Sequence, residues 1–409
     1  MNITYYYHAC VGIKTPDLSI LCDPWFTEPI YDGSWYQFPK FENAIDRIPE
    51  YDYIYISHVH PDHYDPVFLK AYLNKYSSCK ILIANFKNNI LHQELVRNGF
   101  PHQILDELKI SQTHLGFFPN EENTYDIDSA LVVKCGDDSV VNMNDNIYNK
   151  AQLQAIKEFC PSPTIALLAY SGAGPYPQTY YTDLEVLKNK SEEKKQIIFN
   201  RYKKIRDALD PELVLPFAGQ YILGGRLWNL NSFRGSADAT EVLSFDTKAL
   251  VLDTCGSIDV KTKIATAQRF TSYQGLENSA FILKDERMDY EKNPTSLTKD
   301  EMNRCLLESY ENAFANSVCD FDYFFCIKRS DDWFYMNVNR NIHGVGFIDY
   351  VETMLPRSEI IIPETYLCGL LTQRYHWNGA QIGSHYTVRR FPDVFNRDVE
   401  AFLYFFSVK

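Results

Sequence analysis

Short apolar bursts broken by turn-forming residues fill the start of the chain. ITYYYHACVGI (3–13) and LSILC (18–22) lie either side of KTPD, which predicts a β-hairpin. DYIYIS (52–57) reads as a further strand, and it runs straight into His58-Val-His60-Pro-Asp62-His63. PVFLKAYLNKY (66–76) then takes up helical spacing, KILIA (80–84) reads as a strand, and NNILHQELVRNG (88–99) reads as a helix closed by Gly99. SALVVKCGDDSVVNMND (129–145) sets two apolar runs about a Gly-Asp-Asp turn, predicting a hairpin that ends at Asp145.

Beyond it come a helix over 149–159, a buried strand TIALLAY (164–170), the Gly/Pro-rich loop SGAGPYP (171–177), a long charged helix from about Thr182 to Leu209, and the strand ELVLPF (212–217). Strands alternate first with turns and later with helices. That order fits an α/β chain built as an αββα sandwich of two mixed sheets better than a doubly wound parallel sheet. From about residue 235 the pattern changes to polar turns, a helix near 299–316, the strands DYFFCIKR and DWFYMNV, and a closing stretch from Pro363 to Phe406 that reads as mainly helical. At 409 residues two domains are expected. The boundary falls near 235–245, giving a metal-binding domain over 1–240 and a smaller α+β domain over 241–409. IPETYLCGLLTQRYHWNGAQIGSHY in that second part weakly resembles the end of sterol-carrier-type domains, and a lid or a dimer interface would suit it as well, so a homodimer is one expectation.

Composition narrows the function classes. A formal charge of −13 opposes a phosphate backbone, so a nucleic-acid partner is not expected. Ten cysteines are scattered singly with no C-x-x-C pair, which suits reduced thiols and a cytoplasmic location. No stretch is apolar over the length of a membrane span. The expected partner is a small-molecule substrate. Ser171 lacks a G-x-S-x-G setting and the loop around it is too proline-broken for a dinucleotide fingerprint, so its expected part is to shape a pocket mouth.

The chemistry concentrates in the run 58–63. Three of the ten histidines and one aspartate follow a strand expected to be buried, so their side chains emerge where a fixed backbone can aim them at one point. A tight loop there could send His58 and His60 to one metal ion, and Asp62 with His63 to a second.

HVHPDH resembles the H-x-H-x-D-H signature of the metallo-β-lactamase superfamily. YYHACVGIK and LCDPWF are similar to the start of the branch that includes N-acylphosphatidylethanolamine phospholipase D and the UlaG-type lactonases. GSWYQFP (33–39), VVNMND (140–145), SGAGPYP (171–177) and LPFAG (215–219) resemble the corresponding part of CMP-N-acetylneuraminate hydroxylase. The likeness runs over about residues 1–235. It implies a metallo-β-lactamase-like fold with His58, His60 and His114 around one metal, Asp62 and His63 at the other, Asp145 bridging, and His8 and Asp23 behind the ligands. It also implies a last histidine after ELVLPFAG, where this chain reads QYILGGRLWNLN and has none. Gln220, Tyr221, Asn229 or water could fill that place, one metal could suffice, or His343, His376 or His385 could arrive from the second domain.

One or two divalent ions are therefore expected, zinc first, with iron or manganese also suited to mixed His/carboxylate ligation. Three functions follow in order: a hydrolase that turns a metal-bound hydroxide on an ester, amide or phosphodiester, with Asp62 guiding the nucleophile; an iron oxygenase of a nucleotide sugar or related molecule; and a non-catalytic binding module with a degenerate site.

Overall fold

Strands covered on both faces must be apolar at successive positions, and several runs in this chain are. In the computed structural model, which describes residues 1–121, 128–273 and 276–408, these runs form the two inner layers of a sandwich. The first sheet takes β1 (Asn2–Tyr7), β2 (Cys10–Lys14), β3 (Ser19–Cys22), β4 (Tyr53–Tyr55), β5 (Lys80–Ala84) and β6 (His102–Leu105) in chain order. Its β1–β3 strands are antiparallel and β3 to β6 run parallel. The second sheet takes β7 (Glu107–Ile110), β8 (Thr113–Pro119), β9 (Ser129–Cys135), β10 (Asp138–Asn142), β11 (Ile165–Ala169) and β12 (Leu213–Phe217), with β10 to β12 parallel.

Strand parity distributes the apolar residues between layers. Leu131, Val133, Val140, Ile165 and Leu167 point into the core between the sheets, where they meet Val11, Ile13, Ile20, Tyr55 and Leu82. Their neighbours Ala130, Val132, Val141, Ala166 and Leu168 pack outward on the helices Lys150–Phe159 and Leu184–Leu209. On the first sheet Ile54, Ile56, Ile81 and Ile83 pack outward with Phe68, Leu69 and Tyr72 of the helix Pro66–Lys75 and with Leu91 and Leu95 of the helix Ile90–Arg97. The layer order is αββα.

The sandwich does not stop near residue 240. β13 (Ser257–Asp259) returns to pair antiparallel with β1, Ile3 opposite Ile258, and closes the edge of the first sheet. The rest is an α+β unit of the helix Lys299–Asn316 and a five-stranded sheet of β14 (Phe324–Lys328), β15 (Trp333–Asn337), β16 (Val345–Ile348), β17 (Arg357–Ile361) and β18 (Thr387–Phe391). β18 lies inside the stretch read as helical. Its TVRRF pairs antiparallel with β17, and helices Glu364–Leu371 and Trp377–Ile382 precede it. One buried cluster runs without a break from Tyr6, Leu21 and Ile54 to Leu306, Tyr310, Tyr366 and Trp377, so the C-terminal unit is packed on the first sheet's helical side. Among the described residues no helix is long and apolar enough to cross a membrane.

Candidate metal centre

The HVHPDH run sits between two anchors. β4 delivers Ser57, and Asp65 caps the following helix by accepting from Phe68 N at 2.9 Å while also accepting from Phe26 N and Thr27 N. Between them the His60 carbonyl accepts from the backbone of both His63 and Tyr64, at 2.9 and 2.8 Å, closing a tight turn. The turn folds Asp62 and His63 back toward His58.

Neighbouring strand ends supply the rest. His8 follows β1, Asp23 follows β3, Asn144 and Asp145 follow β10, and Ala218 follows β12. His8, Asp23, Asn144 and Ala218 all hold left-handed backbone, with φ of 52°, 41°, 47° and 55°. Such a conformation costs a non-glycine residue roughly 1–2 kcal/mol, and strain of this kind gathers where side chains must be aimed.

Each of the three imidazoles is held by one nitrogen and offers the other. His63 Nδ1 lies 3.0 Å from Asp23 Oδ2, which is itself held by Ser57, and its buried Nε2 has no hydrogen-bond partner. His58 Nδ1 lies 2.9 Å from Ser57 Oγ and 3.2 Å from Asp128 Oδ1. His60 Nε2 lies 3.2 Å from Asn378 Oδ1, an amide brought by the helix Trp377–Ile382. The remaining nitrogens, His58 Nε2 and His60 Nδ1, face each other at 2.9 Å. Outer partners that fix the ring leave an inner nitrogen for a cation, as in well-built metal sites.

Carboxylates complete the cluster. His63 Nε2 is 3.5 Å from Asp145 Oδ2 and 3.7 Å from Asp62 Oδ2. Asp62 Oδ1 accepts from Tyr31 OH at 2.6 Å, and its Oδ2 is 3.1 Å from His8 Nε2. His8 Nδ1 is in turn 3.2 Å from the Gln220 carbonyl, so both its nitrogens face acceptors. Donor atoms of His58, His63 and Asp145 lie within 4.8 Å of one another, and so do those of His8, Asp62 and His63. The two groups share His63.

Electrostatics favour a cation here. Burial and the neighbouring His63 push His58 down to about 4, and burial with His58 pushes His60 down to about 4, leaving both neutral with free lone pairs at pH 7. Burial opposes charge on His63 too, but Asp145 and Asp62 outweigh it and raise His63 well above the ordinary range. Burial likewise works against charge on Asp145, yet His63 holds it down at about 2. Burial and Asp145 hold Asp128 well above the usual carboxylate range, and its buried Oδ2 has no partner. A positive charge is wanted among these carboxylates, and in its absence His63 supplies one by keeping its proton. The donor set fits a divalent ion.

His114 is not part of this cluster. It pairs with Lys134 across β8 and β9, whereas Asp128 precedes Ser129 at the strand's other end, and 134 − 129 = 5 residues at roughly 3.3 Å each is about 17 Å. Parity also turns it out of the sandwich: Leu115 and Phe117 point into the core, while His114 packs on Phe159 and meets Glu107 at 2.8 Å. The substitutes considered for the missing last histidine fall elsewhere too. Tyr221 stacks on Trp35 with ring centroids 3.4 Å apart, Asn229 lines a separate cavity, His343 pairs with Glu311, His376 accepts from Asn378 N, and His385 meets the Tyr31 carbonyl. Gln220 meets the cluster only through its backbone oxygen, which lies 3.2 Å from His8 Nδ1 and accepts from Tyr7 OH at 2.7 Å. Asp128, Tyr31 and Asn378 belong to the surroundings of the site and were not singled out by sequence. Asp128 had a weak signal, an acidic residue just ahead of a buried strand; Asn378 had none.

A cavity of about 290 Å³ opens over the cluster, walled by His58, His60, Asp128 and Asp145 on one side and by Ser171, Gly172 and Arg201 on the other. The SGAGPYP loop thus forms part of its mouth.

Residues 2–153 match the family model described as "Beta-lactamase superfamily domain". A protein named as a Rieske 2Fe-2S iron-sulfur protein in Mycobacterium tuberculosis is 32% identical over 233 residues, 54% of this chain and 44% of its own length. The cytidine monophosphate-N-acetylneuraminic acid hydroxylase of Danio rerio is 24% identical over 249 residues, 54% of this chain and 38% of its own length. The chain spans less than half of these curated relatives. Among solved structures, an isothiocyanate hydrolase from Delia radicum gut bacteria aligns at a TM-score of 0.41 and 14% identity, covering 65% of this chain and 100% of that one. CmlA, a diiron beta-hydroxylase from Streptomyces venezuelae, aligns at a TM-score of 0.38 and 18% identity, covering 58% of this chain and 47% of that one. At such scores neither structure bears on the reaction. The signature loop, its flanking strands and the family match coincide, and it is residues 2–153 that match the beta-lactamase superfamily domain.

Proposed function

We propose that this chain is a metal-dependent hydrolase of a small molecule, with one or two divalent ions held by His58, His60, His63, Asp62 and Asp145. The supporting observation is the arrangement of the three imidazoles, each tied outward by one nitrogen: His63 Nε2 is buried without a partner, and His58 Nε2 and His60 Nδ1 turn inward onto each other at 2.9 Å. His8 stands close enough to Asp62 and His63 to supply the imidazole missing after β12. A divalent ion bound there contributes Lewis acidity and brings the pKa of a coordinated water toward about 7.

The chain's own groups do the rest. Tyr31 and His8 fix both oxygens of Asp62, which suits it to ligation more than to the nucleophile-guiding part expected for it. Asp145, with its side chain 36% exposed, reaches the cavity. Burial and Asp145 favour the protonated form of Asp128 beside the His58 ring, which suits it to act as an acid at the cavity wall. Gly172 and its loop wall the far side of the cavity.

A second reading, oxidation by an iron centre, draws on the carboxylates. With His114 elsewhere and the carboxylates of Asp62 and Asp145 facing His63, oxygen donors rise relative to imidazoles, which suits iron and manganese better than a His-rich set would. The relatives named as a hydroxylase and a Rieske protein lie on the same side. Elemental analysis of the protein purified without added metal separates the readings. Zinc retained together with chelator-sensitive cleavage of a p-nitrophenyl ester or bis-p-nitrophenyl phosphate supports hydrolysis; iron with a visible absorption band supports oxidation. Failure to retain or bind any divalent ion on titration overturns both.

A further inference from the structure

Arg201 projects from the helix Leu184–Leu209 into the wall of the cavity above the cluster, and among the described residues lining that cavity it is the one cation, His58 and His60 being neutral. Its guanidinium carries N–H donors on a rigid plane and makes no hydrogen bond or ion pair with any described residue, although it is half-buried. Its donors are left open to whatever occupies the cavity, water or a ligand group. Gly172 packs beside it: a Cβ at that position would crowd Ile198 Cδ1 at 2.8 Å and stand in ordinary contact, 3.6 Å, with Arg201 Nη2. Beside it the Ser171 Oγ is buried, lines the same cavity and has no partner either.

We propose that Arg201 anchors an oxyanion group, carboxylate or phosphate, on the small molecule that occupies this cavity. The inference rests on the metal-centre reading above and deepens it by naming the substrate class. With a divalent ion bound, the carboxylates of Asp62 and Asp145 are offset and Arg201 leaves the cavity with surplus positive charge. Planar donors in a fork match a carboxylate or phosphate edge in a way a lysine would not. At about 290 Å³ the space suits a small anionic metabolite rather than a polymer.

The test is calorimetric titration of inorganic phosphate and, separately, of acetate into wild type and Arg201→Gln, each with its metal content measured first and each repeated after chelation. Equal metal content with roughly 10- to 100-fold weaker binding of at least one anion in Arg201→Gln is expected, since one charge-assisted hydrogen-bonded pair is lost. The anion that loses affinity tells phosphate from carboxylate. Unchanged affinity for both anions in Arg201→Gln, or no saturable binding of either to wild type, overturns the anchor while leaving the metal centre standing. Absence of metal from wild type with anion binding still dependent on Arg201 overturns the metal-centre reading and leaves the anchor.

Discussion

The histidines of the sandwich rim and those of the C-terminal unit do opposite jobs. At the rim, His58, His60 and His63 each spend one nitrogen on an outer partner and turn the other toward neighbouring donors. In the C-terminal unit His343 pairs with Glu311 at 2.7 Å on the surface, His376 caps a helix, and His385 is committed to the Tyr31 carbonyl at 2.7 Å. The residue type is the same. What separates the candidate ligands from the fastenings is convergence: the inward nitrogens of the rim histidines meet one another and the carboxylates of Asp62 and Asp145, whereas each C-terminal histidine stands alone.

Removing an inward nitrogen is the harshest way to break that contrast. His63→Ala should lower divalent-metal affinity by at least about 100-fold, since it belongs to both donor groups, and a chelator competition assay reads this directly. Loss of an outward partner should cost less. Asn378→Ala frees His60 Nε2 and should weaken metal binding about 10-fold with the fold retained by circular dichroism.

Acidity sharpens the comparison next. The proton that Asp145 and Asp62 stabilise on His63 must leave before a cation can take Nε2, so binding competes with protonation below the raised pKa. Affinity should therefore rise about tenfold per pH unit up to that pKa and level off above it, with about one proton released per ion, measured by calorimetry in buffers of different ionisation enthalpy. The sign for the metal-free protein is opposite. A raised folded pKa gives His63 a stabilising contribution that is complete below its unfolded value and lost as pH climbs through the folded one.

The smallest effect is expected at His114 and His343. Alanine at either should leave metal content and affinity unchanged within about twofold, because neither faces the cluster and surface pairs of this kind contribute little.

Those expectations also mark what the sequence could tell. HVHPDH was legible because strand, candidate donors and capped helix are contiguous, and one tight turn fixes their geometry. Asp145 and Asp23 were legible as residues ending recognisable strands. His114 misled because its spacing suited a ligand, whereas the parity of β8 and its distance along the strand decide where it points. Asp128, Asn378 and Arg201 arrive by packing between distant segments, and Asn378 lies 318 residues from the His60 it holds. No local pattern encodes such a meeting. The edge strand Ser257–Asp259 was missed for the same reason: its partner is the first strand of the chain.

Anomalous diffraction from crystals of the protein as purified, collected at the edge of the metal found in it, locates the ion itself. A peak is expected about 2.0–2.2 Å from His63 Nε2 and from at least one of Asp145 and Asp62. A peak elsewhere, or none at that cluster after soaking with zinc and with iron, would rule out a metal centre at these residues.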